Sequence, residues 1–167
     1  NGGIINDPVL LKLEENNFWL SIADSDVLLW CLGIASSNKF DVNLSEPDAS
    51  PLSLQGPKAI NVMAKVSGDW VKNLKFFYFK EDLIQNIPVI IARSGWSGMS
   101  GYEIYLLDGT KGNILWKIFM DYGQEFKIAP AAPSQINRIE CGMLSYGSDM
   151  TLNENPFEIS MDKFVNL

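Results

Sequence analysis

Val89-Ile90-Ile91-Ala92-Arg93-Ser94-Gly95-Trp96-Ser97-Gly98-Met99-Ser100-Gly101-Tyr102-Glu103-Ile104-Tyr105-Leu106-Leu107 decides the fold. Residues 89–93 and 102–107 are rich in β-branched and aromatic side chains, and the glycines between them mark a turn. A further β-prone run at 74–78 joins them, so several antiparallel strands are implied. Upstream, Leu52-Ser53-Leu54-Gln55 reads as a short strand entering Gly56-Pro57. Pro57 suits the first turn of a helix that runs to about residue 66 and stops at Gly68. Downstream, residues 112 to 120 or 122 form an amphipathic helix with Ile114, Leu115, Ile118 and Phe119 on one face. Residues 134–144 form another, with Ile136, Ile139, Met143 and Leu144.

Nearer the N-terminus, residues 4–13 and 18–23 read as a hairpin punctuated at Asn16-Asn17. Asp24 or Ser25 is then expected to cap an apolar helix over 27 to about 38, with Asp26 complementing the helix dipole. Phe40-Asp41-Val42-Asn43-Leu44 alternates strictly and predicts a strand. Two prolines in residues 45–51 mark a boundary, giving a first α+β lobe over 1–46 and a second over 47–167. Short strands and single helices without a βαβ rhythm predict an α+β fold of antiparallel sheets with flanking helices.

Composition narrows the chemistry. The 167 residues carry 13 Lys and Arg against 20 Asp and Glu, a net charge of −7, which argues against nucleic acid as a partner. The absence of histidine removes Ser-His-Asp, Cys-His and His-ligated metal schemes, so no metal site is expected. Cys31 and Cys141 are too few for a disulfide framework and read as reduced core residues, with a single disulfide the lesser reading. Apolar runs fall short of the roughly 20 residues that span a bilayer, so no membrane association is expected. The chain opens on Asn1-Gly2-Gly3 rather than Met, the expectation for a piece of a longer protein.

Three segments place polar residues where a plain core does not ask for them. In Gly2-Gly3-Ile4-Ile5-Asn6-Asp7-Pro8, Pro8 restricts Asp7 to an extended backbone. A turn aspartate bonded to its own backbone explains the same residues. In the loop 93–101, glycines permit close approach to a flat ligand on which Trp96 or Tyr102 would stack, although an ordinary hairpin loop fits too. The spacing matches neither a P-loop nor a dinucleotide fingerprint. In residues 137–150, Arg138 and Glu140 are two apart and point to different helix faces, which implies a tertiary partner for each; capping and core packing also account for this segment.

Jointly the segments resemble the aminomethyltransferase family, the folate-binding proteins related to the glycine cleavage T protein. Its Gly-Gly-Ile-x-Asp-Asp, Leu-Gln-Gly-Pro, Arg-Thr-Gly-Tyr-Thr-Gly-x-x-Gly-Tyr-Glu-Ile and Arg-x-Glu-x-Gly-x-x-x-Tyr-Gly-x-Asp-Met motifs stand here, in order, at 2–7, 54–57, 93–104 and 138–150. Residues 2–8, 18–26, 74–79 and 92–97 look most like the dimethylsulfoniopropionate demethylase branch. That branch moves an S-methyl group to tetrahydrofolate, giving 5-methyltetrahydrofolate. Ser134 stands where the glycine cleavage protein has an arginine, Asn6 replaces the first of the paired aspartates, and Trp96 replaces the motif tyrosine.

The resemblance implies the central folate-binding region of the family fold, with both lobes incomplete relative to it. It implies tetrahydrofolate as cofactor, a small-molecule methyl donor (a sulfonium or an aminomethyl carrier) as partner, and a cytoplasmic location. Glu103 would receive the pterin's ring N–H and amino group, two parallel donors for one carboxylate. Asp7 would be catalytic, aligning the folate nitrogen and dispersing its proton. Trp96, Tyr102 and Tyr146 would line the slot and attract a sulfonium through their ring faces. A glycine cleavage T protein and a non-catalytic folate-binding module are the alternatives. Oligomeric state is not legible in the sequence.

Overall fold

A computed structural model describes residues 2–22 and 26–166, which fall into two units: Asn1–Glu46 with Leu144–Leu167, and Pro47–Met143. Residues 144–167 thus group with the first unit rather than with the chain that follows Pro47.

In the first unit, β1 (Val9–Glu14) pairs antiparallel with β2 (Asn17–Ser21), as the alternation predicts. Leu11 points inward and is buried, while Leu10 and its partner Leu20 face outward. Gly3 lies so close to the backbone of Leu152 that a Cβ there would overlap its carbonyl, and the neighbouring Ile4 N–H donates to the Glu154 carbonyl at 2.9 Å. This close approach is the local reason for glycine in the first motif.

Helix α1 (Val27–Asn38) forms where expected, but none of its residues is buried. Asp24 and Ser25, the expected caps, lie outside the described residues; Asp26 holds the N-cap position with no side-chain cap bond. The strand expected at 40–44 is absent: the segment has no strand partner among the described residues, and Phe40 and Val42 are exposed. Alternation tells which side chains share a face, but a strand exists only when a neighbour takes its N–H and C=O groups.

In the second unit, β3 (Ser50–Gln55), β4 (Phe79–Ile84), β5 (Ile87–Ala92) and β6 (Gly101–Leu106) form one antiparallel sheet in the order β3-β6-β5-β4. The strand expected at 74–78 begins instead at Phe79, because the aromatic run 76–78 is exposed and Phe77 turns through a left-handed φ of 61°. Gln85 and Asn86, at φ 48° and 67°, make the two-residue turn of the β4–β5 hairpin.

Helices α2 (Ala59–Ser67) and α3 (Gly112–Gly123) cover one sheet face. Val89, Ile91, Tyr102, Ile104 and Leu106 of the sheet pack there with Val62, Met63, Leu115, Ile118 and Phe119. Burying each such side chain contributes about 1.5–3 kcal/mol. Ile114, expected on the buried face of α3, is exposed.

Helix α4 (Gln135–Glu140) is shorter than the expected 134–144, and Ile136 and Ile139 are exposed. Gly142, at φ 67°, ends it early. Ser134, which stands where the glycine cleavage motif has arginine, caps α4 by accepting from the Asn137 N–H at 3.3 Å.

Candidate functional site

Partners directly opposite in an antiparallel sheet share a face, so the register sorts the second unit's polar residues. Ser53, Glu103, Ala92 and Phe79 form one row across β3, β6, β5 and β4. They lie on the face turned away from α2 and α3. Gln55, two residues from Ser53, and Tyr105, two from Glu103, share that face.

Glu103 is held by hydroxyls. The buried Ser94 donates from Oγ to Glu103 Oε2 in a short hydrogen bond, and Tyr105 donates from its phenol to the same oxygen at 3.5 Å. Oε1 receives no hydrogen bond among the described residues. Among the described residues the carboxylate is thus anchored through one oxygen, and a carboxylate has acceptor capacity for a ligand with adjacent N–H donors.

The loop between β5 and β6 is fixed at both ends. Arg93 donates to the Leu74 carbonyl at 3.4 Å, to the Tyr102 hydroxyl at 3.2 Å and to Ser100 Oγ at 2.9 Å. Gln55 enters from β3: its Nε2 donates to the carbonyls of Ser94 at 3.3 Å and Tyr102 at 3.4 Å, and its Oε1 accepts from Ser97 Oγ at 2.7 Å. A Cβ at Gly95 or at Gly101 would overlap the Gln55 amide, so these glycines make room for it.

Tyr102 corrects an expectation. As the neighbour of Glu103 on β6 it points to the opposite face, where it is 0% exposed and packed in the core. Its hydroxyl donates to the Val71 carbonyl at 2.9 Å, and Arg93 lies 4.9 Å from its ring centre. Burial pushes its phenol above the usual 10.0, with the Arg93 charge and hydrogen bond opposing. With its ring enclosed and its hydroxyl engaged, Tyr102 supports the loop from beneath rather than stacking on a ligand.

Trp96 is half-buried, with the Arg138 guanidinium 5.4 Å from its ring centre. Arg138 is buried and donates to Gln135 Oε1 and to the Met143 carbonyl, whereas Glu140 is exposed. In the first unit Asp7 is exposed, and its N–H donates to Asn6 Oδ1 at 2.8 Å. Tyr146, half-buried, is bridged to Met150. Cys31 and Cys141 are both free, and Cys141 is exposed, not the core residue expected.

A shallow pocket lined by Glu81, Asp82, Leu83, Pro88, Val89 and Leu107 lies toward the β4–β5 turn, whereas Glu103 pairs with Ala92 at the other end of β5. Ser94, Tyr105 and Gln55 are the polar residues the sequence reading passed over. The two-residue spacing of Glu103 and Tyr105 on a strand was the available signal for one of them.

With this mixed fold described, comparison identifies the family: the chain belongs to the GCVT N-terminal domain family, matched over residues 1–167. It is 44% identical over 165 residues to dimethylsulfoniopropionate demethylase of Ruegeria pomeroyi, covering 99% of this chain and 45% of that one. It is 28% identical over 171 residues to an aminomethyltransferase of Caldanaerobacter subterraneus, covering 99% and 46%. The crystal structure of glycine cleavage system aminomethyltransferase T from Bartonella henselae superposes with a TM-score of 0.74 at 24% identity, covering 99% and 44%, and shares the fold. The chain thus spans about half the length of the relatives it matches. Among the described residues no helix is long and apolar enough to cross a membrane.

Proposed function

We propose that this chain carries the pterin-recognising part of a tetrahydrofolate-dependent methyltransferase whose donor is dimethylsulfoniopropionate. The observation that carries the reading is Glu103, anchored at Oε2 by Ser94, with no hydrogen bond to Oε1 among the described residues. The residues fit a reduced pterin, whose ring N–H and amino group are adjacent donors that a carboxylate accepts side by side. The similarity to a demethylase at 44% identity, against 28% for an aminomethyltransferase, supports the sulfonium donor. Ser134 supports it too, since it caps a helix where the aminomethyl branch has a charge.

When bound, tetrahydrofolate supplies a nucleophilic ring nitrogen. Glu103 would hold the pterin edge, with its carboxylate oriented by the hydrogen bond from Ser94. Asp7, a carboxylate in the first unit, would be the catalytic proton acceptor, a role resting on the first motif. A sulfonium leaves as a neutral sulfide, so no general acid is required, consistent with a chain that has no histidine. Trp96, over whose ring Arg138 stands, would offer the sulfonium a ring contact worth about 0.5–2 kcal/mol when desolvated. Tyr146 is a further lining residue on the same family grounds. A cytoplasmic setting accords with reduced folate chemistry and two free cysteines.

The test has two readouts: calorimetric binding of tetrahydrofolate to this chain, and methyl transfer by the protein that contains it. Formation of 5-methyltetrahydrofolate from dimethylsulfoniopropionate supports the proposal. Transfer only from an aminomethyl donor favours the glycine cleavage reading. Binding with no transfer from either donor favours a folate-binding module.

A further inference from the structure

Gln55 belongs to the Leu-Gln-Gly-Pro segment, and its contacts reach further than a strand end requires. All three of its side-chain hydrogen bonds go to residues of the glycine-rich loop or the first turn of β6: the carbonyls of Ser94 and Tyr102 and the hydroxyl of Ser97. Its backbone successor adds a fourth link, Gly56 N–H to the Ser100 carbonyl at 2.9 Å. Ser94 and Tyr102 are, respectively, the residue that holds Glu103 and the residue that precedes it.

We infer that Gln55 is a positioning residue for Glu103, acting through Ser94 and the loop; the inference rests on reading Glu103 as the pterin acceptor. Strand parity places Gln55 on the Glu103 face of the sheet, in register with Gly101, and the missing side chains of Gly95 and Gly101 leave the space its amide fills. The site calls for one group that donates to two carbonyls and accepts from a hydroxyl, which a primary amide does and a carboxylate does not. Glutamate at this position would turn an anion toward two carbonyl oxygens and release Ser94. Once Ser94 moves, the carboxylate loses the bond that fixes its rotamer and samples orientations in which its oxygens no longer meet adjacent donors.

The experiment compares the intact chain with Gln55→Glu, Ser94→Ala, the double variant and Ser97→Ala, the last removing the hydroxyl that donates to Gln55 Oε1 and accepts from the Met99 N–H. In ligand-free protein, the Glu103 side-chain carboxyl carbon is followed by NMR, with Ile91 and Leu115 methyls as core reporters. Gln55→Glu is expected to move the Glu103 and Ser94 signals and leave the core reporters in place. Ser97→Ala is expected to move them less and in the same direction, and it decides the matter should Gln55→Glu fail to fold. An unmoved Glu103 signal overturns the inference.

Calorimetry with tetrahydrofolate adds the functional arm. Gln55→Glu and Ser94→Ala should each weaken binding about tenfold, and the double variant no more than the worse single one. Losses that multiply to about a hundredfold mean that Gln55 acts independently of Ser94, and the inference falls. Absence of binding by the unaltered chain refutes the folate reading alone, because the ligand-free NMR result still decides whether Gln55 governs Glu103. Ser94→Thr, which keeps the hydroxyl, is expected to restore affinity.

Discussion

Replacing Glu103 by alanine removes the proposed pterin acceptor, and the structure sets the size of the effect. Two charge-assisted hydrogen bonds to ligand are lost, each worth about 1.5–3 kcal/mol, but bonds to one carboxylate are not additive. A net loss of about 3 kcal/mol follows, or roughly a 150-fold rise in the Kd for tetrahydrofolate. The buried Ser94 loses its acceptor in the same variant, which costs about 1–3 kcal/mol of stability. Affinity must therefore be read well below the melting temperature. Glu103→Gln separates the two effects: its amide oxygen still accepts from Ser94, while its NH2 group now faces ligand donors. It should melt close to the unaltered chain yet bind nearly as weakly as the alanine variant. Isothermal calorimetry under anaerobic conditions gives both Kd values, and a folded Glu103→Ala chain that binds within threefold of the original would refute the pterin assignment.

Three further outcomes are expected. Asp7→Asn should lower kcat for methyl transfer more than it weakens folate binding, and equal losses in both would count against an alignment role. Tyr102→Phe removes a buried hydroxyl that donates to the Val71 carbonyl, which still accepts from the Leu74 N–H, so denaturant unfolding should show a loss of about 0.5–1.5 kcal/mol. Its pH profile has a definite sign. Because the folded phenol is held above 10.0, its contribution is complete below that pH and disappears as pH rises from there through the folded value; the phenylalanine variant should lack this part of the alkaline decline. Gly101→Ala places a methyl group against the Gln55 amide, which three hydrogen bonds hold in place; overpacking of this kind costs about 1–3 kcal/mol, and an unchanged melting temperature in calorimetry would contradict the threading of Gln55 through the loop.

The sheet and its two covering helices were legible because their signals are local. The β5 and β6 runs, the Gly56-Pro57 helix start and the period of α3 each show in a window of ten or so residues, and each element forms within one or two residues of expectation. The reading failed where local pattern needs a distant partner. Phe76-Phe77-Tyr78 has strong strand propensity but lies exposed, while Lys80-Glu81-Asp82, poor in propensity, sits in β4 because β5 offers it a ladder. The same reasoning covers residues 40–44, whose alternation predicts a strand that finds no strand partner among the described residues, since pattern carries no information about what lies opposite.

Site residues divide along a different line, strand parity. Tyr102 and Glu103 are adjacent in sequence and were expected to serve one ligand, yet adjacent residues on a strand face opposite ways. Assigning the charged residue to the face turned away from α2 and α3 sends Tyr102 into the core, where its phenol has to find a partner, and it finds Val71. That single step also brings Tyr105 to Glu103 and, through the register of β3 with β6, Gln55 to Gly101. What sequence does not carry is the identity of the hydroxyl that grips the carboxylate. Ser94 and Glu103 are nine positions apart, and the β5–β6 register that sets Ala92 opposite Glu103 brings them within hydrogen-bond reach. The Leu-Gln-Gly-Pro segment and the glycine-rich segment are thus one device: the second supplies the acceptor and its hydroxyl clamp, and the first supplies the amide that holds the clamp shut.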